Sequence, residues 1–178
     1  ALVQQMSSPS AARPVLIGID GRSGSGKSTL AAALLARLSP HAHVCVLPLE
    51  SLYPGWDGLA VPLGDHGAYP RALRELTAGR PARWRAWDWH AGTPGPWQTT
   101  PVCDVVVCEG VGALCRSARP LLDLTVWLDG DEAERRRRAL ARDGDLYAPH
   151  WRRWAAQEER YLAEHAPRAA ADLRLRLE

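Results

Sequence analysis

The stretch Gly21-Arg-Ser-Gly-Ser-Gly26-Lys27-Ser28 constrains this chain more than any other, because it matches G-x-x-x-x-G-K-[ST] at every fixed position. Its flanks fit the pattern. Pro14 to Asp20 is a β-branched, nearly continuous apolar run, as a strand buried on both faces requires. Ser28 to Leu38 is rich in strong helix formers and is closed by Pro40. A glycine-rich turn between a strand and a helix directs successive backbone N–H groups onto phosphate oxygens, and the helix dipole adds to the attraction. In this arrangement Gly21, Ser23, Gly24, Ser25, Gly26, Lys27, Ser28 and Thr29 are the candidate phosphate-binding residues. The lysine would reach the β- and γ-phosphates and the Ser28 hydroxyl would ligate Mg²⁺. A chance glycine-rich turn is the competing account. Composition decides against it: of 22 basic residues 21 are arginine, and the single lysine is Lys27, where an ammonium and not a planar fork is required.

The rest of the chain reads as strands alternating with helices. His43–Pro48 and Val102–Cys108 have strand character, Leu122–Leu128 is a further strand, and Asp172–Leu177 could close the sheet. Pro70–Ala78, Asp131–Arg142 and His150–Ala163 read as helices. Arg83–His90 alternates in part, and Leu49–Gly67 and Gly92–Pro101 read as Pro/Gly loops. The expected architecture is α/β: a P-loop NTPase fold with a mostly parallel five-stranded sheet flanked by helices and an Arg-rich helical lid over about 131–150. Residues 1–13 are expected to be a disordered tail ahead of a single domain spanning 14–178.

At 46% hydrophobic and 24% charged residues the chain can bury a core, which excludes the disordered and fibrous classes. Its longest apolar runs are strand-sized, so no membrane partner is expected, and a secretory signal is not apparent. A net charge of +2 does not point to nucleic acid. Cys45, Cys103, Cys108 and Cys115 form no Cys-x-x-Cys pair and are expected to be buried free thiols in a reducing cytoplasm, against a metal or disulfide role.

A phosphate loop does not by itself define a reaction; phosphoryl transfer also needs a metal-side acid and a base near the acceptor hydroxyl. Val105-Val-Val-Cys-Glu109-Gly110 delivers one carboxylate at the C-terminal end of an apolar strand, the edge where α/β sheets collect ligands. Glu109 is the candidate metal-side acid, or an ordinary strand-terminal acid. Leu47-Pro-Leu-Glu50-Ser-Leu-Tyr53 places Glu50 just beyond another strand, as a candidate base or as a solvated loop carboxylate. Arg135, Arg138 and Arg142 share one helix face at spacings of 3 and 4. They could stabilise charge on the transferred group, with Arg138 and Arg142 leading, or form a solvated basic face, or pair with Asp131, Glu132 and Glu134. Trp87, Trp89 and His90 precede a Pro/Gly loop; the indoles could stack a planar substrate or serve as core anchors. Trp127, Trp151 and Trp154 read as core.

The order Ile19-Asp-Gly-Arg-Ser-Gly-Ser-Gly-Lys-Ser-Thr29, Leu49-Glu-Ser-Leu-Tyr53, Glu109-Gly-Val111, an Arg-rich helix and Arg142-Asp143 resembles the uridine kinase family. More broadly it is similar to the uridine kinase and phosphoribulokinase group of P-loop kinases. The resemblance implies an ATP-dependent phosphotransferase using Mg²⁺, with a small-molecule hydroxyl acceptor such as uridine or cytidine. It assigns Glu50 to the position where the family usually has an aspartate base, and Glu109 to the metal-associated glutamate. Tyr53, Trp87, Trp89 and His90 fall near its acceptor pocket, and Arg135 to Arg142 in its lid. Glutamate at 50 and Leu52 depart from the family pattern. Kinases of other alcohols or of nucleoside monophosphates remain alternatives, with Arg71, Arg74, Arg83 and Arg85 available for a second phosphate. A nucleotide-binding switch is the alternative outside kinases.

Overall fold

A computed structural model describes residues 13–176. Parallel strands β1 (Val15–Asp20), β2 (Val44–Pro48), β5 (Val105–Glu109), β6 (Leu124–Asp129) and β7 (Leu173–Arg176) form one sheet in the order β2-β5-β1-β6-β7. The expected five-stranded parallel sheet is therefore present. The tail expected at 1–13 lies, for residues 1–12, outside the described residues, while Arg13 pairs with Asp123. No helix among the described residues is long and apolar enough to cross a membrane.

Alternation along the strands covers both faces of the sheet. Ile17, Ile19, Val107, Val126 and Leu128 pack with Ala31 of α1 (Lys27–Leu38) on one side. Leu16, Leu47, Val106 and Cys108 belong to a larger core on the other side. That second core also takes in α2 (Ala68–Thr77) and α4 (Trp151–His165), where Trp151, Trp154, Glu158 and Tyr161 form the buried face that their spacing predicts. Pro48 pairs with Glu109, and Ile19 pairs with the same residue from the other side. The C-terminal ends of β1, β2 and β5 thus share one edge, and the loops carrying Gly21, Glu50 and Gly110 leave the sheet side by side.

Three expectations change. The segment read as a Pro/Gly loop contains β4 (Thr93–Thr100), paired antiparallel with β3 (Ala82–Asp88) in a separate two-stranded hairpin. Pro94 and Pro96 obscure it because proline cannot donate to a ladder. They are tolerated on a strand paired on one side only, where Arg85–Trp97 and Trp87–Pro94 leave one extra residue bulged on β4. Second, α3 runs from Glu132 to Tyr147, past the expected end at Arg142, and bends where Gly144 leaves helical geometry at φ 50 and ψ −130. Asp131 caps its start by accepting from Glu134 N–H at 3.2 Å.

Third, Cys45 and Cys103 form a disulfide, with 6.3 Å between their Cα atoms. Only Cys108 and Cys115 are the free buried thiols expected, and burial pushes each up to about 12. The pairing is invisible in cysteine spacing because it follows from strand register. Val44 aligns with Val105, which brings Cys45 beside the segment entering β5. The bridge closes a separation of 58 residues, for which chain entropy gives a stabilisation of up to about 4 kcal/mol. Cys45→Ser is expected to lower stability by roughly 2–4 kcal/mol in denaturant melts without reductant, and by little against wild type in dithiothreitol. Coincident melts without reductant would contradict the bridge.

Candidate active site

The glycine-rich turn forms as its sequence demands. Gly24 has φ 78 and Gly26, which caps α1, has φ 97. A Cβ at Gly24 would also collide with the Arg135 backbone, so glycine is needed there for both reasons. Ser23, Gly24, Gly26, Lys27, Ser28 and Thr29 line a cavity of about 470 Å³. Gly21 and Ser25 do not line it. Gly21 N–H is bonded to Asp20 at 2.7 Å, and the buried Ser25 hydroxyl has no hydrogen-bond partner among the described residues.

The Lys27 ammonium is nearly buried and donates to the Arg22 carbonyl at 3.0 Å. Burial pulls its pKa down, while the carboxylates of Glu109, Glu158 and Asp20 act in the opposite direction. Ser28 Oγ lies 3.2 Å from each Glu109 carboxylate oxygen, at the end of β5. A hydroxyl beside one carboxylate is the hard-oxygen set that Mg²⁺ accepts when phosphates and water complete its shell. The residues present therefore fit that ion.

Glu50 lies on the 3₁₀ turn Leu49–Leu52 that follows β2, and it lines the same cavity. It keeps contact with solvent at the cleft mouth, yet the surrounding walls desolvate its carboxyl and push it above the ordinary carboxylate value. Arg142 opposes that rise, and Asp143 and Glu109 add to it. Arg138 and Arg142 also line the cavity, each paired with an acid: Arg138 with Glu134 at 2.7 Å and Arg142 with Asp143 at 2.6 Å. Arg135 does not join them. Its guanidinium is buried and donates to the carbonyls of Gly130 and Ser23, both at 3.2 Å, packing α3 onto the phosphate loop.

The aromatic residues are distributed differently from the sequence expectation. Trp89 lines the cavity, and its Nε1 donates to the Glu50 carbonyl at 3.3 Å. Trp87 and His90 instead line a second cavity of about 450 Å³ under the hairpin, which shares Glu50, Trp56, Trp89 and Asp143 with the first. Tyr53 lines the first cavity, but its hydroxyl is committed to the Val111 carbonyl at 2.6 Å, so it contributes a wall and not a free donor. Gly110, at φ 149, lets that loop pass close to Leu49 and the Tyr53 hydroxyl.

Sequence reasoning missed Trp56, which is the hub of the aromatic wall. It stacks on His150 at 4.4 Å and on Tyr147 at 5.4 Å, and meets Trp89 at 4.7 Å. A single indole between Gly55 and Asp57 has no periodicity to reveal it. Trp154, read as core, is buried but also faces the cavity. Asp20 was passed over as the last residue of a strand. It is fully buried and accepts from Gly21, Gly112 and Leu114 N–H and from the Tyr161 hydroxyl.

No protein-family model matches the chain. A curated uridine kinase of Lactobacillus johnsonii is 28% identical over 144 residues, covering 74% of this chain and 68% of that protein. Among solved structures, a possible uridine kinase from Bacillus stearothermophilus superposes with a TM-score of 0.66 at 24% identity, covering 92% of this chain and 89% of that one. A D-glycerate 3-kinase from Cryptococcus neoformans var. grubii shares the fold at a TM-score of 0.57 and 12% identity, over 91% and 82%. The phosphate loop and the solved structures give the chain the P-loop kinase fold, and its sequence is similar to that of uridine kinases.

Proposed function

We propose that this chain transfers the γ-phosphate of ATP to a hydroxyl of a small uncharged molecule, with a nucleoside such as uridine or cytidine as the first candidate. The observation that carries the reading is convergence on one cavity. Lys27 and the loop amides, the Ser28–Glu109 pair, Glu50 and the indoles of Trp56 and Trp89 all line it. Backbone N–H groups of Gly24 and of residues 26–29, with the Lys27 ammonium, hold the phosphates, while Ser25 N–H stays with the Arg22 carbonyl at 3.1 Å. Ser28 and Glu109 would hold Mg²⁺, which when bound would neutralise phosphate charge. Glu50 accepts the proton of the attacking hydroxyl, and Arg138 and Arg142 stabilise charge on the transferred group. A site inside the cell, where ATP is supplied, fits this reaction.

The cations also bear on the acceptor. Arg71, Arg74, Arg83 and Arg85, the candidates for a second phosphate, line neither cavity. Arg74 donates to the Asp65 carbonyl, Arg85 to that of Gly95, and Arg83 lies over Trp97. No arginine or lysine is among the residues lining the second cavity, although the chain carries 21 arginines. An anionic end would meet indoles and carboxylates there, which supports a neutral acceptor over a nucleoside monophosphate.

The test is ADP formation from ATP·Mg²⁺ against a panel of uridine, cytidine, their 5′-monophosphates and gluconate. Stimulation by a nucleoside but not by the anionic compounds is expected. Turnover indifferent to every acceptor would favour a nucleotide-dependent switch.

A further inference from the structure

α4 joins two parts of the site that the chemistry above treats separately. Its buried face carries Trp154, Gln157, Glu158 and Tyr161. At the acceptor end Trp154 lines the aromatic wall, and Gln157 holds the Trp56 segment, donating to the Trp56 carbonyl at 2.6 Å and accepting from Leu59 N–H at 3.3 Å. At the phosphate end Glu158, only 1% exposed, accepts from Ser23 N–H at 2.8 Å and from Arg22 Nε at 2.9 Å. The Tyr161 hydroxyl donates to Asp20 Oδ2 at 2.5 Å. Asp20 Oδ2 also accepts from Leu114 N–H at 2.9 Å, and its Oδ1 takes Gly21 N–H at 2.7 Å and Gly112 N–H at 3.1 Å.

Two N–H groups of the loop's first turn are therefore held by carboxylates that α4 supplies or orients. Ser25 N–H closes the turn on the Arg22 carbonyl at 3.1 Å, and the N–H groups of Gly24 and of residues 26–29 are left for phosphate. The arrangement carries a cost, since two buried carboxylates stand behind an anion site; burial alone pushes the Asp20 carboxyl up. Here their hydrogen bonds hold the Gly21 and Ser23 N–H groups of the loop's first turn.

We infer that Glu158 and Tyr161 are positioning residues, which set the phosphate loop in its ATP-binding shape and fix its distance from the acceptor wall through one rigid helix. From residue 154 to residue 161 the helix rises about 10 Å, which sets the scale of that spacing. This inference rests on the nucleotide-site reading. It goes beyond it by making the loop's shape depend on residues that touch no substrate.

The test compares three variants by calorimetry with a non-hydrolysable ATP analogue and Mg²⁺, alongside thermal melts. Tyr161→Phe keeps the ring and removes only the hydroxyl. Glu158→Gln keeps the shape and removes the charge that Arg22 and Ser23 N–H face. Gln157→Ala removes hydrogen bonds from the same helix face on the acceptor side. The first two are expected to weaken analogue binding by roughly 5- to 10-fold while remaining folded at assay temperature, and Gln157→Ala to leave it within about 2-fold. Unchanged affinity in Tyr161→Phe would overturn the inference, as would an equal loss in Gln157→Ala, which would mark general loosening of the helix. Should Glu158→Gln not fold, Tyr161→Phe decides alone. If the wild type itself binds no analogue, the nucleotide-site reading fails first and this inference falls with it.

Discussion

Lys27→Ala is expected to lower kcat by roughly 10³-fold, and Lys27→Arg to restore little of it. The ammonium is nearly buried and faces Glu109, Glu158 and Asp20, with only the Arg22 carbonyl as a hydrogen-bond acceptor among the described residues. Burial makes its charge costly, so the charge is retained for a purpose that packing does not supply. Arg138 and Arg142 do not replace it, because they reach the cavity from α3 and not from the phosphate loop where the ammonium stands. Alanine leaves the triphosphate with backbone amides alone and no cation between its β- and γ-oxygens, which weakens its binding as well as its transfer. Steady-state ADP release with ATP·Mg²⁺ and the best acceptor is the measurement, and activity within 10-fold of wild type would remove Lys27 from the reaction.

Glu50→Gln should cut kcat by about 10²- to 10⁴-fold while changing ATP affinity by less than about 2-fold. The amide keeps the shape of the turn and the backbone carbonyl that receives Trp89 Nε1, and loses only the ability to take a proton. The same group sets a pH limb. Desolvation by the cleft walls raises its carboxyl above the ordinary value although the residue itself is exposed, and a base works only when deprotonated. The kcat of wild type should therefore fall as pH is lowered through that raised value, at a higher pH than an exposed glutamate would give. In Glu50→Gln the residual rate should lack this limb. A silent substitution, or an unchanged acidic limb in the variant, would assign the base role elsewhere.

What could be read before the fold was known, and what could not, follows from the range of the physics involved. The phosphate loop, β1, α1 and the buried face of α4 rest on short-range patterns, and they formed as their residues dictate. So did the strand-end acids: Glu109 reaches Ser28, and Glu50 faces the same cleft, because parallel register places all their strand ends on one edge. The acceptor side was only partly legible. Trp87 and His90 are displaced into a neighbouring cavity by the hairpin that two prolines concealed, and Trp56 became the aromatic hub through contacts with residues about 90 positions away. The Cys45–Cys103 bridge and the Asp20 cluster are hidden for the same reason: Cys103 meets Cys45 from the segment before β5, and Asp20 meets the loop after β5 and Tyr161 of α4, contacts that spacing along the chain does not reveal.

Calorimetric titration of the wild-type protein with ATP and Mg²⁺, repeated with Lys27→Ala, bears most directly on the whole account. Saturable 1:1 binding that requires the metal and is lost or greatly weakened in the variant is the expected result. No heat with either ATP or GTP in the presence of Mg²⁺, or equal binding by both proteins, would contradict it.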